Sequence, residues 1–171
     1  MHNRRELTKK FVSSLLDQTF KDFHLLLVDD GSTDGTDEMV KSLISNVTIF
    51  KGKGDWWWAG SIQQAYYWIK KNGKANEVVL IINDDLVFED DYLEKGSKYI
   101  IQNPNSIILS AAYNHKDRSF LEDCGVIYDF KTSEMNTMPI DKLEQLNCAS
   151  TRGLFLKVND FILTKGMRPF L

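Results

Sequence analysis

Two short apolar runs, each closed by acids, constrain this chain more than any other feature. His24 to Asp29 (H-L-L-L-V-D) is an apolar run that ends in Asp29-Asp30, and Val78 to Ile82 ends in Asn83-Asp84-Asp85. A continuous apolar run of this length fits a strand covered on both faces, because a half-exposed strand would alternate apolar and polar positions. Around these runs the apolar residues recur at helical spacing. Leu7, Phe11, Leu15 and Leu16 predict a helix up to Gln18, with Asn3 and Glu6 as its cap and N3 pair. Gly31, Ser32, Asp34 and Gly35 form a turn, after which Met39, Val40, Leu43 and Ile44 supply the inner face of a second helix. A strand is expected at Val47 to Phe50. A third helix, from about Ala59 to Lys71, presents Ile62, Ala65, Tyr66 and Ile69 and ends at Asn72-Gly73. A fourth runs from Asp90 to Ile101, stops before Pro104 and leads to a strand at Ile107 to Ala112.

This alternation predicts an α/β fold: a mostly parallel sheet with helices on both faces. From Tyr113 to Leu143 the pattern is irregular, with one strand at Val126 to Phe130 and a polar loop at Ser133 to Thr137. Strands at Leu146 to Ser150 and Gly153 to Val158 and a short helix at Asn159 to Lys165 follow. With 43% apolar residues and no repeat or linker, residues 1–171 read as a single domain.

The net charge of −3, with no Lys/Arg cluster beyond pairs, excludes the footprint of a nucleic-acid binder. No apolar stretch is long enough to cross a bilayer, and the first residues lack a signal peptide's apolar core. Cys124 and Cys148 have no CxxC spacing, so reduced thiols and a cytoplasmic location are expected, with peripheral attachment to the inner face of the membrane left open. His2, His24 and His115 form no metal-binding spacing.

Ligands of open parallel sheets bind beyond the carboxyl ends of the strands, so both acid clusters should share one edge. Either cluster alone could be structural, since Asp is a common turn former and cap. Together they favour a site. Gathered carboxylates repel one another unless a cation stands between them. Mg²⁺ or Mn²⁺ held by one or two carboxylates, with its shell completed by water and phosphate oxygens, would let an acidic chain hold a nucleoside diphosphate. Three competing motifs fare worse. Asp30 to Lys41 begins like a calcium loop but has Lys41 at position twelve, and Gly52-Lys53-Gly54 lacks the third glycine of a dinucleotide fingerprint. A phosphoacceptor receiver domain would place its acid pair after a first strand with no helix before it.

Four segments together resemble a family 2 glycosyltransferase with the GT-A fold, the Rossmann-like nucleotide-diphospho-sugar transferase architecture. They are S-L-L-D-Q-T-F (Ser14 to Phe20), V-D-D-G-S-T-D-G-T (Val28 to Thr36), W-W-A-G (Trp57 to Gly60) and I-N-D-D (Ile82 to Asp85). The W-W-A-G variant is similar to the rhamnosyltransferase-like branch. The resemblance implies inverting transfer of a sugar from a nucleotide-diphosphate donor to a hydroxyl of a saccharide or lipid-linked acceptor. Asp30, with Asp29 beside it, would contact the nucleobase or ribose; Asp84 would face the ribose; Asp85 would ligate the metal. Trp56, Trp57 and Trp58 would wall a sugar ring beside Gly60, with core packing behind the nucleotide as the equal alternative for at least one of the three. Trp68 reads as core.

The resemblance also sets expectations for what departs from it. Asn83 stands where the family's D-x-D motif has an acid, and Gln63 and Ala65 stand where Asn and Gly are frequent. The family's first strand is expected to be missing ahead of His2-Asn3-Arg4, which predicts an exposed edge or a gap in the sheet and self-association. After Gly153 the only carboxylate is Asp160, on a packing helix, so no catalytic base is assigned. A truncated or degenerate nucleotide-sugar-binding module is the alternative to an active enzyme.

Overall fold

Each acid-terminated apolar run forms a strand, and each helical periodicity forms a helix. The structure is a computed structural model that describes residues 1–137 and 146–166. In chain order the elements are α1 (Arg5–Leu16), β1 (Leu25–Asp29), α2 (Thr36–Leu43), β2 (Val47–Lys51), α3 (Trp57–Asn72), β3 (Val78–Ile81) and α4 (Tyr92–Gln102). Then come β4 (Ile108–Leu109), β5 (Ala112–Tyr113), β6 (Leu121–Asp123), β7 (Val126–Asp129), β8 (Glu134–Thr137), β9 (Leu154–Lys157) and α5 (Val158–Leu163).

Helices cover the strands on two faces. Phe11, Val12 and Leu15 of α1, Met39 and Val40 of α2 and Leu93 of α4 pack with Leu27, joined by the partly buried Leu25, Leu80 and Ile82. Tyr66 and Ile69 of α3 and Val158 and Phe161 of α5 pack with Leu156, joined by Leu26, Val79 and Ile81. Alternate residues of β1 and β3 thus enter the same two clusters, as strands in one layer between helices must. Gln18 fixes α1 against α4. Its buried amide donates to the carbonyls of Ser14, in α1, and Glu89, in the loop that follows Asp85, and accepts the N–H of Leu93 in α4, so both faces of the amide are used in joining the two helices.

The sheet differs from the expectation of mostly parallel pairing. β1 and β2 are parallel, from Leu25 opposite Val47 to Asp29 opposite Lys51. β9 returns from the distal part of the chain and inserts antiparallel to both β3 and β4. A two-sided apolar run carries no information about strand direction, which is why local pattern missed this. Such an inserted strand also separates the fold from the parallel sheet of a receiver domain.

Four local expectations are corrected. Arg4, rather than Asn3, occupies the N-cap position of α1, without a side-chain cap bond. Asn3 instead takes a left-handed φ of 49° and accepts the Thr33 N–H, while Asp34 accepts the Arg5 N–H. The expected polar loop at Ser133 to Thr137 contains β8, which pairs with β7 because Asp129 organises the turn by accepting the Lys131 and Thr132 N–H groups. In place of a strand at Leu146 to Ser150 there is one isolated bridge, Val126 to Cys148. The strand expected at Ile107 to Ala112 is split into β4 and β5, with β5 pairing to β6. The irregular stretch expected up to Leu143 lies in part outside the described residues.

One ion pair carries a pH signature. The buried Asp37 of α2 lies 2.6 Å from Lys51 Nζ and 3.6 Å from Lys41 Nζ. The Lys51 hydrogen bond, outweighing desolvation, pulls the Asp37 carboxyl down to about 2 from 3.8. A depressed carboxyl pKa gives stability that is present above the unfolded value and lost as pH falls through the folded one. Urea titrations should therefore show Asp37→Asn less stable than the unaltered chain at pH 7, with the difference shrinking between pH 3.8 and about 2. A difference independent of pH would contradict the pairing.

Candidate nucleotide site

The first eight residues tie the two acid loops together. The Met1 ammonium donates to the Val28 carbonyl at 2.8 Å, and the Asp30 N–H donates to the Met1 carbonyl at 2.9 Å, the bonding of one residue in a parallel ladder. The Asn3 N–H donates to Ser32 Oγ at 2.9 Å. On the other side Arg4 reaches the loop after β3: Nη1 lies 3.3 Å from Asp84 Oδ1 and Nη2 3.2 Å from Asp85 Oδ2. Thr8 Oγ1 donates to Asp84 Oδ2 at 2.7 Å. Both acid clusters accordingly flank one short N-terminal segment.

Asp29 and Asp30 have different tasks. Asp29 is fully buried, and its Oδ1 accepts the Ser32 N–H at 2.8 Å, while Oδ2 is buried with no hydrogen-bond partner. Asp30 spends both oxygens on the loop between β2 and α3. Oδ1 accepts the Gly54 N–H, and Oδ2 accepts those of Trp56 and Trp57, each at 2.9 Å. Desolvation works against the Asp30 charge, but the backbone N–H groups of Trp57, Gly54, Trp56 and Asp55 outweigh it and hold the carboxyl below its ordinary range. The loop can approach this closely because of glycine. Gly31 has φ +80°, and a Cβ there would lie 2.8 Å from the Gly54 nitrogen. A Cβ on Gly52 would collide with Asp30 Oδ1 and with the Trp56 ring.

At the second acid pair one carboxylate oxygen is left without a partner. Both oxygens of Asp84 are engaged, by Arg4 and Thr8. Asp85 Oδ1 is buried without a partner, and its Oδ2 faces only the guanidinium. An orphaned carboxylate oxygen suits a hard cation that takes its remaining ligands from water and phosphate. Among the described residues no group of three or more His, Cys, Asp or Glu side chains could form an all-protein cage.

The aromatic residues divide. Trp57 is 80% and Trp58 50% exposed, and Trp57 opens α3 with a left-handed φ of 51°. Trp56 is partly buried, and Gly60 lies under it, where a Cβ would be 3.1 Å from Trp56 Cβ. Trp68 packs against the second core cluster and stacks on His24 with ring centroids 5.1 Å apart. Arg4, Thr8 and the glycine pair Gly52 and Gly54 were not singled out as site residues from sequence. Only the position of Arg4 beside the Asn3 turn hinted at its place. Gln63, noted as a departure, has a buried Oε1 without a partner.

The two acid loops lie together at one strand edge of an α/β domain. A sequence model of the family described as Glycosyl transferase family 2 matches residues 1–155, and the chain belongs to that family. Among solved structures it is similar to a mannosyltransferase, PcManGT from Pyrobaculum calidifontis, determined in complex with GDP-Man and Mn²⁺. The TM-score is 0.56 at 18% identity, covering 70% of this chain and 35% of that one. The shared feature is the fold, of the GT-A kind; this chain spans about a third of the mannosyltransferase's length. Comparison with curated proteins returned no match.

The Asp30 cradle makes a direct prediction. Gly52→Ala should lower unfolding free energy by about 1–3 kcal/mol, the usual cost of overpacking, and raise protease susceptibility within residues 52–57. A neutral effect in urea titrations would show that the loop does not need this close approach.

Proposed function

We propose that the chain binds the nucleoside diphosphate of a sugar donor across the ends of β1 and β3, and that the sugar passes with inversion to an acceptor hydroxyl. The observation that carries this reading is the pair of orphaned, buried carboxylate oxygens, Asp29 Oδ2 and Asp85 Oδ1, on loops tied by one segment. Each is an acceptor awaiting a donor or a cation, and each leaves a desolvation cost that a ligand would remove.

In this reading Asp29, rather than the Asp30 that the resemblance implies, accepts from the nucleobase or ribose, because both Asp30 oxygens are taken by loop N–H groups while Asp29 Oδ2 has no partner. Asp30 positions the site by clamping the loop that carries Trp57, and Asp84, held by Thr8, faces the ribose. Trp57 and Trp58, exposed at the head of α3, offer aromatic faces to the sugar above Gly60. Mg²⁺ or Mn²⁺ on Asp85, when bound, would neutralise the diphosphate and stabilise it as leaving group. Inversion needs a general base on the acceptor side. The acceptor is proposed to be a saccharide or lipid-linked hydroxyl, and W-W-A-G supports a rhamnosyltransferase-like donor preference. A nucleotide-sugar-binding module without transfer is the second reading. It is favoured by Asp160, which lies in the first turn of α5 between the buried Val158 and Phe161 rather than at the strand edge.

Calorimetry with nucleoside diphosphates tests the site. Binding should require Mn²⁺ or Mg²⁺, and Asp85→Ala should weaken it by roughly tenfold or more, the loss expected of a metal ligand. Unchanged binding by that variant would sink the assignment. Release of nucleoside diphosphate from a nucleotide-sugar separates transfer from binding alone.

A further inference from the structure

We infer that Arg4 holds the place of the cation between Asp84 and Asp85 and gives it up when the cation binds, its guanidinium then turning to the donor's diphosphate. This rests on the proposed role of Asp85. The geometry is that of an exchangeable pair. The two contacts, at 3.3 and 3.2 Å, are long against the roughly 2.7–2.9 Å of a tight charge-assisted bond, and the fork is split between two carboxylates instead of gripping one. The Arg4 side chain is 41% exposed, so the pair is worth little to stability.

Charge points the same way. One guanidinium against two carboxylates leaves the cluster negative, and it leaves Asp85 Oδ1 buried without a partner. A divalent cation would cancel both charges and satisfy that oxygen. Asp84 would hold its position through the exchange, because Thr8 grips its Oδ2 at 2.7 Å independently of Arg4. Arg4 itself lies at the N-cap of α1, with φ −130°, outside the helical geometry. Its part in the helix ladder is made by the backbone carbonyl, which accepts the Thr8 N–H, so the guanidinium can turn without breaking that bond. A displaced guanidinium, planar and always charged, suits the phosphate oxygens that arrive with the cation.

Arg4→Met should bind Mn²⁺ alone more tightly, by about threefold or more as a competing charge is removed. The same variant should bind nucleoside diphosphate more weakly at saturating Mn²⁺, by a similar factor. Opposite shifts are what a merely structural arginine would not give. Arg4→Gln repeats the measurement should the Met variant fail to fold. On the unaltered chain, Mg²⁺ should move the Arg4 Nε–H resonance toward that of a free arginine. Mn²⁺ affinity unchanged or weakened in the variants, while the unaltered chain binds Mn²⁺, would overturn the exchange. Unchanged diphosphate affinity would overturn the second role. Mn²⁺ binding by neither chain nor variant would overturn the Asp85 reading itself.

Discussion

The site depends on the tie that residues 1 to 8 make between the end of β1 and the end of β3. β1 and β3 share no hydrogen-bonded ladder, so their relative placement comes from packing and from this bridge. Met1 bonds the backbone on either side of Asp29, Asn3 and Arg5 bond the turn beyond it, and Arg4 and Thr8 reach Asp84 and Asp85. Gln18 then anchors the far end of α1 to the loop after Asp85. The spacing of the two acid loops is set by one helix and its leading turn.

Within that frame the acids fall into two kinds. Asp30, Asp34 and Asp37 are engaged within the protein: by loop amides, by Thr36 and the Arg5 N–H, and by Lys51. The first is held low by amides that outweigh desolvation, the other two chiefly by a hydroxyl and a lysine. They spend their charge on shaping the turn. Asp29 and Asp85 keep a buried oxygen without a partner, which a protein tolerates where something else is meant to complete the bonding. Under the proposed function, the division separates residues that build the site from residues that serve it.

Much of this was legible before any coordinates. The β1 and β3 runs announced themselves as two-sided strands, and their acids fell on one edge as strand-end logic required. The four motif segments carried the family, whose model covers residues 1–155. What stayed hidden was non-local. Nothing near Leu154 to Lys157 states that β9 runs antiparallel between β3 and β4. Asn3 looked like a cap because the competing acceptor, Asp34, lies 31 positions downstream and is brought to Arg5 only by the fold. Gly52 and Gly54 read as a failed dinucleotide motif, since their purpose is to admit Asp30 from another element.

Anomalous diffraction at the manganese edge, from crystals grown with Mn²⁺ and a nucleoside diphosphate, tests most directly the proposal that this strand edge holds a polyanion through a cation. The account predicts one strong peak at direct coordination distance from Asp85, about 2 Å, with diphosphate oxygens on its far side and the base toward Asp29. Bound nucleotide with no manganese peak beside Asp85, or a peak at another acid group, would contradict it.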